Sequence, residues 1–72
     1  PGSMELRHLR YFLAIWDAKG FSQAAARLHV TQPTLSHQVR QLEDQVGSPL
    51  LVRSGRQIAL TAAGEVFLEY AR

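Results

Sequence analysis

The chain has 72 residues, a net charge of +2 and no cysteine. A disulfide framework and a thiolate metal site are therefore excluded, and the length suits one small domain of marginal stability. No apolar run approaches the roughly 18 residues of a membrane span. The segment Leu13–Trp16 is too short for a signal-peptide core, so a cytoplasmic protein is expected.

Pro1-Gly2-Ser3 reads as the remnant of an expression tag, ahead of Met4. The first helix is expected from Leu6 to about Lys19. Leu6, Leu9, Leu13 and Trp16 repeat at steps of three and four, with Phe12 and Ile15 widening the stripe. Trp16 is read as a core residue with a wet edge, and Gly20 as the stop of this helix.

The next stretch, FSQAAARLHVTQPTLSHQVRQLEDQV (21–46), organises the rest. It predicts a short helix, a tight turn at His29-Val30 and a longer helix. Ser22 is the expected N-cap of the short helix, and Phe21, Ala24, Ala25 and Leu28 its inner face. Alanine there lets two helices cross closely. Thr31 is the expected N-cap of the longer helix, with Pro33 in the first turn, where a missing N–H costs little. Leu35, Val39, Leu42 and Val46 form a narrow apolar stripe. Pro33, His37, Arg40 and Gln41 lie opposite, flanked by Thr34 and Ser36. Gly47 is the expected C-cap.

This is the layout of a helix-turn-helix with an exposed recognition helix. The exposed face suits a groove of DNA, because glutamine, serine, threonine and arginine can bond base edges or phosphates. The bland alternative is an amphipathic helix with a solvated face, but such faces usually mix charges. Here no acid occurs between Asp17 and Glu43, and residues 45–64 again hold Arg53 and Arg56 without an acid. One positive surface on an otherwise balanced domain is the footprint of phosphate contact.

Beyond Pro49, two short apolar runs, 50–53 and 57–60, flank the Ser54-Gly55 turn signal and predict a β-hairpin wing. Arg53 and Arg56 at its tip suit phosphate or a minor groove. Thr61 is the expected N-cap of a last helix. Its stripe Val66, Phe67 and Tyr70 either forms a dimer surface or packs back on the first helix. The pattern stops abruptly at Arg72, and the natural chain is expected to continue.

Other functions fit less well. Adjacent Ser36 and His37 point about 100° apart on a helix, which is poor nucleophile–base geometry. His8, His29 and His37 lack ligand spacing, and there is no glycine-rich phosphate loop, so no enzyme is expected. A winged helix used as a protein–protein interaction module is the main alternative. It calls for an apolar or acid-mixed face in place of Gln-Pro-Thr-Ser-His-Arg.

The runs ELRHLRYFLAI, FSQAAARLHVTQPTLSHQVRQLEDQVG and PLLVRSGRQIALTAAGE resemble the N-terminal domain of LysR-type transcriptional regulators. The likeness spans nearly everything from Met4 to Arg72. The opening run resembles regulators of aromatic-compound degradation, of the benzoate/muconate-responsive kind, and the later runs resemble cyanate-operon regulators. The resemblance implies a mostly α, winged helix-turn-helix fold over 4–61: three helices, a two-stranded wing, then the start of a linker helix at 62–72. It further implies binding to an inverted-repeat DNA operator and a homodimer through the linker helix, with Val66, Phe67 and Tyr70 on its face. The full-length protein would be a tetramer, and a C-terminal domain outside this sequence would bind a small-molecule inducer. The fragment itself needs no cofactor or metal. Carried over by position, Gln32, Pro33, Ser36 and His37 would meet base edges, supported by Thr31, Thr34 and Arg40. Ser22 and Gln23 would contact phosphate at a helix start. Arg56 would reach the minor groove, with Arg53 nearer the hairpin base. His37 stands where many members have arginine, and Leu51 where many have phenylalanine.

Overall fold

The computed structural model describes residues 6–54 and 57–72. The expected tag remnant at 1–3 and the wing-tip Arg56 lie outside them. The order is α1 (Leu6–Ala18), α2 (Phe21–Leu28), α3 (Gln32–Val46), β1 (Leu51–Ser54), β2 (Gln57–Leu60) and α4 (Ala62–Ala71). The two strands pair antiparallel, with Leu51 opposite Leu60 and Arg53 opposite Ile58. The wing begins one residue later than the hydropathy suggests, because Leu50 is spent on the core, where it is fully buried.

Each helix ends by a local device. Lys19, not Gly20, adopts the left-handed conformation after α1, at φ 59°. The Lys19 and Gly20 N–H groups donate back to the Trp16 and Ile15 carbonyls, satisfying two end carbonyls. Gly20 is extended and is itself the residue before α2; its carbonyl accepts from Ala24. Ser22 is therefore not the N-cap. It lies inside the first turn, because α2 must start at Phe21 for that ring to reach the core. His29 closes α2 in the left-handed region, and its turn is completed by Val30 N–H donating to the Ala25 carbonyl at 3.0 Å. Thr31 caps α3 as expected, its hydroxyl accepting from the Thr34 N–H. Gly47 ends α3 at φ 87°, a conformation that strongly favours glycine.

The interior has two parts. Ile15, Ala24, Ala25, Leu35 and Val39 join α1, α2 and α3. Phe12, Leu42, Leu50 and Phe67 join α1, α3, the segment before the wing and α4. Leu51 packs against both. The buried face of α1 is centred on His8, Phe12 and Ile15. The predicted stripe is thus offset: Leu9, Leu13 and Trp16 are half-buried, while Leu6 is exposed. Trp16 does keep a wet edge, with the Lys19 ammonium 3.0 Å from its ring centre. At the far end of α3 the stripe stops at Leu42, and Val46 faces solvent.

Phe67 corrects the expected dimer stripe. It is buried against Phe12, with ring centres 5.1 Å apart and planes at 86°. Edge-to-face contact of this kind favours keeping the ring inside. Only Val66 and Tyr70 of that stripe are exposed.

Candidate nucleic-acid interface

The α3 sequence alternates core and polar positions so that its apolar stripe, Leu35, Val39 and Leu42, is sealed at 0–4% exposure. Burying three such side chains, at about 1.5–3 kcal/mol each, fixes which side of the helix faces out. Pro33, Thr34, His37 and Arg40 are exposed on that outer side, with Gln32 and Ser36 half-buried at its edge. The outer side chains are already ordered by one another. The Gln32 amide donates to Ser36 Oγ at 2.9 Å. The Thr31 hydroxyl donates to Thr34 Oγ1 at 2.8 Å. The Gln41 amide donates to His37 Nε2 at 3.2 Å. Such i,i+3 and i,i+4 pairs limit the rotamers that would have to be frozen on binding.

Arg53 connects the wing to the helices. It stands exposed on β1 with its guanidinium 4.9 Å from the centre of the Phe21 ring. It borders two clefts. The larger, about 310 Å³, lies at the start of α2 between Lys19, Ser22, Gln23, Arg53 and Gln57. The smaller, about 230 Å³, lies between α3 and the wing, against Ser36, Arg40, Glu43 and Arg53. Expected contact residues from α2, α3 and β1 thus meet on one continuous surface. Free N–H groups at a helix start favour an anion there. Lys19 and Gln57 join this surface although the sequence pattern did not single them out; only their position beside the α2 start reveals them.

Glu43 is the other addition. Its Oε2 accepts from the Leu50 N–H at 2.7 Å and the Leu51 N–H at 3.2 Å. The acid that ends the acid-free stretch is thus used internally, to hold the wing on α3. At the far side of the wing, the Thr61 hydroxyl donates to the Pro49 carbonyl at 2.6 Å and accepts from the Gly64 N–H. A methyl group on Gly64 would collide with the Leu50 carbonyl oxygen, so glycine is what lets α4 approach this closely. Among the described residues, no cluster of three potential metal ligands occurs, and no helix is long and apolar enough to cross a membrane.

A three-helix body, a capped turn into an exposed polar helix and a two-stranded hairpin define a winged helix-turn-helix domain. The chain belongs to the LysR family of bacterial regulatory helix-turn-helix proteins, whose sequence model matches residues 6–65. It is 62% identical over 68 residues to the Hca operon transcriptional activator HcaR of Escherichia coli K12, covering 94% of this chain and 23% of HcaR. In three dimensions it resembles CbnR_DBD in a crystal structure with DNA, at TM-score 0.89 and 52% identity, covering 96% of this chain and 79% of that one. It equally resembles BenM_DBD bound to catB site 1 DNA, at TM-score 0.89 and 46% identity, over 94% and 76%. The chain spans about a quarter of the length of full-length relatives such as HcaR. The relatives are transcriptional regulators, not enzymes.

Proposed function

We infer that the domain binds duplex DNA sequence-specifically and serves a LysR-type transcriptional regulator. The observation that carries this is the outer side of α3. A helix clamped by Leu35, Val39 and Leu42 turns Pro33, His37 and Arg40 outward, with no acid from Thr31 to Gln41. A B-DNA major groove admits an α-helix, and this set of groups can bond its base edges. Gln32, Pro33, Ser36 and His37 are assigned to the bases. Thr31, Thr34 and Arg40 support them, and Ser22, Gln23 and Arg53 meet phosphate beside the groove, with Arg56 at the minor groove. The likeness to domains solved on DNA supports the same arrangement.

For the whole protein the reading extends to a cytoplasmic homodimer, assembled into tetramers, on an inverted repeat. Its half-sites would lie about one helical turn apart. Val66 and Tyr70 are the exposed apolar groups of α4 available to a partner helix. A small-molecule inducer would bind outside this domain.

Fluorescence-anisotropy titration of the domain tests the reading. One duplex carries a T/A-rich inverted repeat, the other its scramble, each at two salt concentrations. Preference for the repeat, with affinity falling steeply as salt rises, is the expected result. Absence of binding to both at low salt, by this domain and by a dimeric longer chain, would instead support a protein-interaction module. In the same assay Gln32→Ala should cost about 1–3 kcal/mol on the repeat and relax base preference. Unchanged discrimination would remove Gln32 from the reading set.

A further inference from the structure

The apolar stripe of α3 fixes which side of the helix is buried, but hydrophobic contact is non-directional. Packing of Leu35, Val39 and Leu42 against a dense interior resists a large roll, but a small roll shifts many weak contacts without breaking a directional bond. Two polar ties oppose that roll. On one flank, Gln38 Oε1 accepts from His8 Nε2–H of α1 at 3.0 Å. His8 is 4% exposed, the one polar residue in the buried set among the described residues. On the other flank, the Glu43 carboxylate accepts from the Leu50 and Leu51 N–H groups at the start of the wing.

At about 100° per residue, Gln38 and Glu43 lie about 70° to either side of the centre of the Leu35–Val39–Leu42 stripe. The helix is thus tied symmetrically, to α1 on one side and to the wing on the other. Hydrogen bonds weaken steeply once their angles open, so this pair resists rotation in both senses. The stakes are large for a reader of base edges. On a helix with side chains some 6 Å from its axis, a roll of about 10° moves a side-chain tip by about 1 Å, enough to spoil a bidentate bond to a base.

We propose that His8 and Glu43 are positioning residues that set the rotation of the recognition helix about its own axis. They thereby decide which of Gln32, Ser36, His37 and Arg40 are presented to the bases. The DNA part of this proposal rests on the function inferred above; the rotation itself does not. His8 lies away from the outer face, so removing it should spare the sequence-independent part of binding, which depends on charge, whereas Glu43 borders the cleft beside Arg40 and Arg53.

The test uses the His8→Phe/Gln38→Leu double variant, which removes both partners of this bond together, with His8→Gln as the conservative control. Glu43→Met, which keeps the length of the side chain but offers no oxygen acceptor, tests the other flank and stands in should the double variant fail to fold. Residual dipolar couplings of the backbone N–H groups report the orientation of α3 against α1 without any DNA. The expected result is an altered α3 orientation in the double variant and in Glu43→Met, and a native one in His8→Gln. On DNA, the ratio of affinities for repeat and scramble should fall about tenfold, the size of one lost base contact. In the double variant, which changes no charge on the outer face, affinity for the scramble and the salt slope should stay at wild-type values. Couplings that superpose on wild type in the folded variants would overturn the proposal. So would an altered orientation with discrimination within twofold of wild type. If wild type itself fails to discriminate, the functional reading falls while the couplings still decide the rotation.

Discussion

The two halves of the interior are built on opposite plans. Ala24 and Ala25 sit at the centre of the cluster that joins α1, α2 and α3, where small side chains bring helix backbones close. Phe12 and Phe67 sit at the centre of the other, where two rings fill the gap between α1 and α4. The first cluster controls distances and angles beneath the outward surface of α2 and α3; the second supplies bulk burial. A small domain can thus separate what sets its geometry from what gives most of its stability.

Substitutions should separate these roles. Phe67→Ala should be the most damaging, costing about 3–5 kcal/mol through the lost burial and the cavity left behind. That is comparable with the whole stability of a domain at the low end of the usual range, so urea titration should show a domain largely unfolded in buffer. Ala25→Leu overpacks the other cluster and should cost about 1–3 kcal/mol. Here the sharper readout is anisotropy on the operator duplex: the folded variant should bind more weakly, because α2 is pushed away from α3. Equal affinity would show that the alanine cluster does not set the reading geometry.

Smaller effects belong to the ends of the elements. Thr31→Ala removes the acceptor for the Thr34 N–H and should lower the thermal midpoint by an amount equivalent to about 1 kcal/mol. The Arg72–Asp17 ion pair links α4 to α1 at 2.9 Å but is more than half exposed on both sides. Arg72→Ala should therefore change the urea midpoint by less than about 0.5 kcal/mol equivalent.

The sequence made some of this plain and concealed the rest, for identifiable reasons. Leu35, Val39 and Leu42 repeat with helical spacing, and Thr31, Thr61 and Gly47 are residue types suited to their caps, so α3 and the start of α4 were legible. His8 was concealed because it occupies a core position with a polar ring. The spacing His8, Phe12, Ile15 is the true inner face of α1, but counting only apolar residues shifts the stripe toward Leu6. Ser22 misled because a good capping residue stood two positions beyond the actual cap, Gly20. Glu43 could not be read at all, since its partners are backbone N–H groups seven and eight residues further on. Phe67 left two outcomes open in sequence, and the ring contact with Phe12 selects the inward one.

The Leu50 peptide joins both sides of the wing. Its N–H donates to Glu43 of α3 and its carbonyl accepts from the Thr61 N–H at 3.0 Å, ahead of α4. Leu50 lies in neither helix nor strand, yet its side chain is fully buried. Its amide proton should therefore exchange with solvent on the timescale of the helix cores, although it sits in a connecting segment. One proton would then act as a clock for the whole domain, because it is released only when α3 and the segment before the wing come apart.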